Sequence, residues 1–259
     1  PGGAAPPEVA ALLPKLLDAL SLPKAIRSRA GAQAAGLSQR TTWFLLPTWL
    51  MAIRRLVESG DSFCLIFRTF GDDASEVAAE FNVFATGAHP LHPGFSCDGA
   101  SNKSQDLKRV DRRLYLETDG CGSFFRDKDG PILALGTLRL PEAHNREDAL
   151  AMARRTGCDF ACGIPAIHQL LQQRSASEKT LVLRDHWRFW RDCGEAGSAG
   201  KLLLVDDNSH AVFIDDNIRG PDGHIVDVRD AATAASVPWE TVQAKGLVET
   251  AWPYAALLE

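Results

Sequence analysis

No stretch of this sequence approaches the ~20 consecutive apolar residues that a membrane-crossing helix needs. Its best run, Phe44-Leu45-Leu46, stops at Pro47, and Leu202-Leu203-Leu204-Val205 runs straight into Asp206-Asp207. An excess of basic charge is also missing. Lys and Arg number 28 against 33 Asp and Glu, a formal net charge of -5, which excludes a general binder of nucleic acid or of anionic membranes. There is no Cys-x-x-Cys pair. The six cysteines (Cys64, Cys97, Cys121, Cys158, Cys162, Cys193) are too sparse over 259 residues for a disulfide framework. Cys64 lies in an apolar run, where a small buried thiol is the natural reading. Free thiols predict a reducing intracellular compartment, the cytosol or an organelle lumen or matrix. No internal repeat and no long low-complexity tract is present. The first residues are Pro-Gly-Gly and not Met, which suggests a processed or trimmed chain.

What is present is 45% apolar residues, enough for a sizeable core in a chain that is long for one domain. Residues 1–7 read as an extended leader. Apolar residues at helical spacing (Val9, Leu12, Leu13, Leu16, Leu17, Leu20) predict a helix over 8–20, ended by Pro23. Residues 24–40 are either a surface helix broken at Gly31 and Gly36 or a loop. Pro47 opens a strong helix over 48–58, stopped by Ser59-Gly60. The run 63–67 has the length and continuity of a central parallel strand covered on both faces. Gly71-Asp72-Asp73 makes a turn, and 74–84 form the next helix, with Val77, Ala78, Phe81 and Phe84 on one face. Helix, buried strand, turn and helix in this order make half of a doubly wound sheet.

Further on, 88–111 read as a polar surface insertion, and Asp129-Gly130 between apolar runs signals a hairpin. Helices are expected over 142–155 and 166–174, and 181–190 also fit a helix. Two apolar runs, 202–205 and 211–214, each end in paired aspartates, and 224–228 form a last short strand. The tail carries Trp239, Trp252 and Tyr254. The expected organisation is a helical leader over 1–40 and an α/β domain over 41–259 with an insertion around 88–130.

Ligands of open α/β sheets bind beyond the carboxyl ends of the strands, and two strands end in suggestive chemistry. The first ends Phe67-Arg68-Thr69-Phe70-Gly71-Asp72, where a hydroxyl and backbone N–H groups at a strand-to-helix turn suit a phosphate. Thr69 could equally cap the following helix. The second ends Phe213-Ile214-Asp215-Asp216-Asn217, where two carboxylates and an amide oxygen are hard donors for Mg²⁺. Adjacent carboxylates repel unless a metal or a Lys/Arg partner neutralises them. Between the two strands, Gly200-Lys201 offers a point positive charge. Arg68, Arg112 and Arg113 could grip an anion or form structural ion pairs. The histidines of His89-Pro90-Leu91-His92 are close enough to share a metal, although their prolines also suit a plain loop. Trp187 and Trp190, at i, i+3, fit core or interface.

A buried strand ending in Thr, a later Lys and a strand ending Asp-Asp resemble the second, third and fourth motifs of the haloacid dehalogenase-like (HAD-like) superfamily. Residues 67–72, Glu80-Phe81-Asn82 with His89-Pro90, and 213–218 are similar to a HAD-like group from protists and algae. The resemblance covers roughly residues 47–230. It implies a doubly wound, mostly parallel sheet with helices on both faces. It also implies that Thr69 binds the transferring phosphoryl group, that Lys201 neutralises its charge, and that Asp215 and Asp216 hold Mg²⁺. With the neighbouring Arg68 and Asn217 added, the candidate phosphate site is Arg68, Thr69 and Lys201, and the candidate metal site Asp215, Asp216 and Asn217.

The family's first motif, Asp-x-Asp-x-Thr after an apolar strand, has no counterpart within residues 1–61, where the only aspartates are Asp18 and Asp61. Without it no aspartyl-phosphate forms. Lys201 also lies only 14 residues before Asp215 (215 − 201), short for the helix that normally separates the two motifs. Asp206-Asp207-Asn208-Ser209 after 202–205 loosely imitates the first motif in a permuted order, or makes a turn. Asp206 and Lys201 are thus the catalytic candidates. The expectation is a non-catalytic, phosphatase-fold pseudoenzyme that serves as a binding or scaffold subunit among other protein subunits. The alternative is a Mg²⁺-dependent phosphoric-ester hydrolase whose nucleophile motif is missing from this chain, trimmed off or supplied elsewhere.

Overall fold

A computed structural model describes residues 21–97, 110–118, 120–177 and 179–250. The expected leader and helix over 1–20 and the residues Trp252 and Tyr254 lie outside them. The chain divides into two units, Pro1–Asp61 with Ala79–Asp111 and Ala251–Glu259, and Ser62–Ala78 with Arg112–Thr250.

In the first unit a single helical turn, α1 (Lys24–Arg27), stands where a longer surface helix or a loop was expected, and turns follow it. Gly31 explains part of this. Its φ is +83°, and a Cβ there would lie 1.9 Å from the carbonyl oxygen of Ala88, so only glycine fits. α2 (Pro47–Ser59) begins with Pro47 in its first turn and ends at Gly60 with φ +78°, as the sequence signals predict. α3 (Ala74–Ala85) starts in the second unit and continues into the first. Its four expected face residues, Val77, Ala78, Phe81 and Phe84, are all buried. Leu22, Ile26, Leu37 and Val83 form an apolar core with Trp43 and Leu91 against it.

The second unit holds β1 (Ile66–Thr69), β2 (Cys121–Asp127), β3 (Gly130–Leu135), α4 (Arg146–Arg155), β4 (Phe160–Cys162), α5 (Ile164–Ser175), β5 (Leu181–Arg184), α6 (Trp187–Asp192), β6 (Lys201–Val205), β7 (Phe213–Asp215), β8 (Val226–Asp230), α7 (Trp239–Ala244) and β9 (Val248–Thr250). Among the described residues the largest sheet has the order β1-β5-β2-β3-β4. β5 pairs in parallel with β1 and β2, while β3 pairs antiparallel with β2 and β4. The sheet is therefore mixed, which corrects the expectation of a mostly parallel one. The cause is the Asp129-Gly130 turn, which folds β3 back on β2 and makes half of the pairings antiparallel. β2 lies in the middle of this sheet although its residues fall in the segment 88–130 expected as an insertion.

Two further corrections concern the C-terminal half. Residues 181–184, read as part of a helix, are β5. Leu181, Val182 and Leu183 are buried between two neighbouring strands, and the charged residues that blurred the pattern belong to the turn and to α6. Strand β8 is not the last, because α7 and β9 follow it. β6 pairs in parallel with β8, and β7 with β9.

Alternation along β2 and β3 sorts the core. Phe124, Leu133 and Leu135 pack with Leu183, with Ile167 and Leu170 of α5 and with Leu202 of β6. Phe125, Ile132 and Ala134 face the other way, onto Leu140 and the α4 residues Ala149 and Ala153. Helices thus cover both faces, and each large apolar side chain so buried contributes about 1.5–3 kcal/mol. A third cluster gathers Trp190, Phe213, Val226, Val228, Val242 and Leu247. No helix among the described residues is long and apolar enough to cross a membrane. All six cysteines are free thiols.

Candidate functional site

Because β1, β5 and β2 run in parallel, their carboxyl ends share one edge, and several buried charged side chains of the second unit meet there. Arg68 of β1 forms a two-pronged pair with Asp185, just past β5, at 2.9 and 2.5 Å. The third arm of Arg68 donates to the carbonyl of Leu202 in β6 at 2.9 Å. Arg126, near the end of β2, donates to the carbonyls of Gly200 and Ser198 and pairs with Asp227 of β8 at 2.6 Å. Asp227 also accepts from Arg229 at 2.6 Å. These contacts bring the start of β6 and β8 to the carboxyl edge of the large sheet.

The end of β7 arrives at the same place. Lys201 Nζ donates to Asp215 Oδ2 at 2.8 Å, and each side chain is only 8% exposed. The other oxygen of Asp215 accepts the N–H of Asn217 at 2.9 Å. Lys201 also sits 5.1 Å from the ring centre of Phe70, the residue after Thr69, a cation–π distance. Phe70 stacks on Trp190 at 5.2 Å, and the indole N–H donates to the carbonyl of His224 at 3.0 Å. Trp190 thus belongs to the core, whereas Trp187 is exposed over 43% of its surface. Burial, and then the hydrogen bond and charge of Asp215, push the Asp216 carboxyl above the usual aspartate range, and Lys201 offsets this only in part. The structure therefore joins Lys201, Asp215 and Asp216, and places them beside Phe70.

Thr69 itself is buried. Its hydroxyl bonds to the carboxylate of Asp73 and accepts the Gly71 N–H at 2.9 Å. This organises the turn into α3, whose Val77 N–H donates to the Asp73 carbonyl at 3.0 Å. Arg112 is buried, donating to the Phe63 carbonyl at 2.8 Å and lying over that residue's ring. Arg113 lies over the ring of Tyr115.

Asp206 stands apart. Lys201 opens β6 and Asp206 follows its last residue, so about 16 Å of extended chain separates them. Asp206 accepts from His168 of α5 at 2.7 Å, from Gln172 at 3.0 Å, and from the N–H groups of Asn208 and Ser209, each at 2.7 Å. Burial works the other way, but hydrogen bonds from Asn208, Ser209 and His168 outweigh it and hold the Asp206 carboxyl below its usual range. The two catalytic candidates named from sequence therefore do not meet.

The sequence reading missed Asp185, His186, Arg126 and Asp227. All four are buried. Burial moves the His186 imidazole below its usual range, and the contact of its Nδ1 with the Arg126 carbonyl at 3.0 Å offsets part of this. The available signal was an Arg or Asp set inside an apolar strand pattern, as in Phe124-Phe125-Arg126 and Val226-Asp227-Val228, where a charge needs a buried partner.

For Mg²⁺, the oxygens of Asp215, Asp216 and Asn217 are right in kind. As arranged they do not fit an ion, because both Asp215 oxygens are engaged and the Lys201 ammonium takes the cation's place. Compared with protein-family models, with curated proteins and with solved structures, the chain matches none.

Proposed function

We propose that this chain is a degenerate, HAD-like phosphatase-fold protein that works by binding, as a non-catalytic scaffold subunit among other protein subunits. The observation that carries this reading is the buried contact between Lys201 and Asp215. Metal-dependent phosphoryl transfer needs its acidic residues free to hold a cation and its lysine free to meet phosphate. Here the lysine and the aspartate neutralise each other, and the Thr69 hydroxyl is engaged by Asp73 and Gly71. The permuted nucleophile candidate, Asp206, lies at the far end of β6. Together these residues stabilise a strand edge, and the reading assigns the chain's activity to surfaces rather than to turnover.

The test is an assay of the full chain with a generic aryl phosphate and Mg²⁺. The expected result is hydrolysis no faster than the buffer blank. Turnover that disappears in Asp215→Asn would establish the Mg²⁺-dependent hydrolase instead.

A further inference from the structure

β4 is the last strand of the five-stranded sheet, and no described strand lies on its outer side. Its inner side is taken up by β3. The Asp159 carbonyl accepts the Leu135 N–H at 3.0 Å, and the Gly163 N–H donates to the Pro131 carbonyl at 2.9 Å. These directions alternate along a strand, so Ala161 also turns its backbone to β3, while Phe160 and Cys162 turn their N–H and C=O groups outward. Side chains alternate as well. Ala161 packs toward α5, so Phe160 and Cys162 project from the opposite face, where both are exposed.

Folded proteins guard such edges with charge, proline, a bulge, a cover or shortness, because an open edge templates another strand. Of these β4 shows only its shortness. Its register with β3 runs without a bulge. Residues 160–173 contain no Asp, Glu, Lys or Arg, although such residues make up 24% of the chain. Asp159, just before the strand, is already paired with Arg174 at 2.7 Å. The uncharged surface continues onto α5. His168 and Gln172 reach Asp206 at the end of β6, and β6 lies toward β1, where Arg68 meets Leu202. At helical spacing the exposed Ala166, Gln169 and Gln173 therefore occupy the other flank of α5, the one over β4.

We propose that two copies of the chain join at this face, β4 against β4 and α5 against α5, about a two-fold axis at Ala161. Across such an axis a surface meets itself, so like charges would face each other. An uncharged edge is what self-pairing requires, whereas a foreign partner would tolerate charge matched by its opposite. The register is also self-complementary. With Ala161 opposite its own copy, Phe160 faces Cys162 of the partner subunit and Cys162 faces the partner's Phe160, each pair exchanging two backbone hydrogen bonds. Pairing ends at Gly163, whose φ of +79° turns the chain out of the sheet. So short a strand buries far less than the roughly 800 Å² per partner of a stable interface, and the α5 flanks supply the rest. Gln169 and Gln173 suit this, since an amide carries donors and an acceptor and can pair with its own copy. This assembly goes beyond the binding role proposed above and is independent of the state of Lys201 and Asp215.

The test is sedimentation of the full chain over a concentration series, where a dimer at micromolar concentration is expected. Phe160→Lys and Gln169→Lys should each weaken it more than about 10-fold by setting like charges close to the axis. Both residues are exposed, so the variants should keep the circular dichroism of the wild type. Trp187→Lys, at an exposed apolar residue of α6, should leave the dimer unchanged. Ala161→Cys is made in a chain whose exposed Cys158, Cys162 and Cys193 are changed to serine. It should give a disulfide-linked dimer on mild oxidation, because facing residues of a non-hydrogen-bonded pair have Cα atoms about 4.5 Å apart, within disulfide range. A monomer at every concentration would overturn the proposal, as would a dimer that the Phe160 and Gln169 variants leave intact or that Trp187→Lys weakens as much. A dimer that Ala161→Cys does not cross-link would overturn the β4 pairing.

Discussion

The two ends of the β6–β8 pair carry aspartates of opposite character. At the start of the strands, Asp227 is 3% exposed and held by Arg126 and Arg229, while Lys201 meets Asp215. At the finish, Asp206 follows Val205, the register partner of Asp230; both accept hydrogen bonds from their own next few residues, and Asp206 also meets His168 and Gln172 of α5. Asp206 takes Asn208 and Ser209, and Asp230 takes Ala232 and Thr233. Buried carboxylates must draw a countercharge from elsewhere in the fold, because losing water is costly for a charge. Asp230 needs only a turn, whereas Asp206, with its side chain 11% exposed, adds the His168 imidazole to its turn. Asp227 locks elements together, Asp230 closes a loop, and Asp206 does some of each.

The largest effect that would sharpen this contrast is expected at Asp227. Asp227→Ala leaves the Arg126 guanidinium buried beside no carboxylate and should cost about 3–5 kcal/mol of unfolding free energy in urea titration. Asp206→Ala, which strands no buried guanidinium, should cost less, about 1 kcal/mol. Equal losses would erase the distinction between the two ends.

A smaller effect of opposite sign is expected at Asp216. Its carboxyl is raised by burial and by Asp215, so the folded state holds its proton to higher pH than the unfolded chain does. Its contribution is therefore fully present below the unfolded value, about 4, and is lost as pH rises through the folded value. Asp216→Asn should accordingly raise Tm at pH 7 and change it little below pH 4. Asp206, shifted downward, works in the reverse sense. Its contribution is present above about pH 4 and fades as the pH falls through its folded value. A Tm gain for Asp216→Asn that is the same at pH 4 and pH 7 would contradict the assigned cause.

The same contrast explains what could be read from the sequence. Local features were legible. The Pro47 start and Gly60 stop of α2, the buried face of α3 and the Asp129-Gly130 hairpin all depend on residues a few positions apart. The signal for β5 was lost because its three apolar residues run into Arg184, Asp185 and His186, whose partners lie far off in sequence. Arg68 and Asp185 are 117 positions apart, and Arg126 and Asp227 are 101 apart, beyond any local pattern. The mixed sheet was missed for a related reason. The hairpin was recognised, but nothing local states that its first strand pairs with β5. At the candidate site, the Lys201–Asp215 spacing of 14 looked too short for two separate motifs. Physically it is the span of one excursion from the start of β6 to the end of β7, which returns the carboxylate to the lysine.

The account's central claim is that Lys201, and not a metal, neutralises Asp215. The most direct measurement is the Tm of the full chain against millimolar Mg²⁺, run beside Asp215→Asn. Any ligand of the folded state must raise stability by RT ln(1 + [L]/Kd). The account predicts the same flat dependence for both proteins. A Mg²⁺-dependent rise in the wild type that Asp215→Asn abolishes would contradict it.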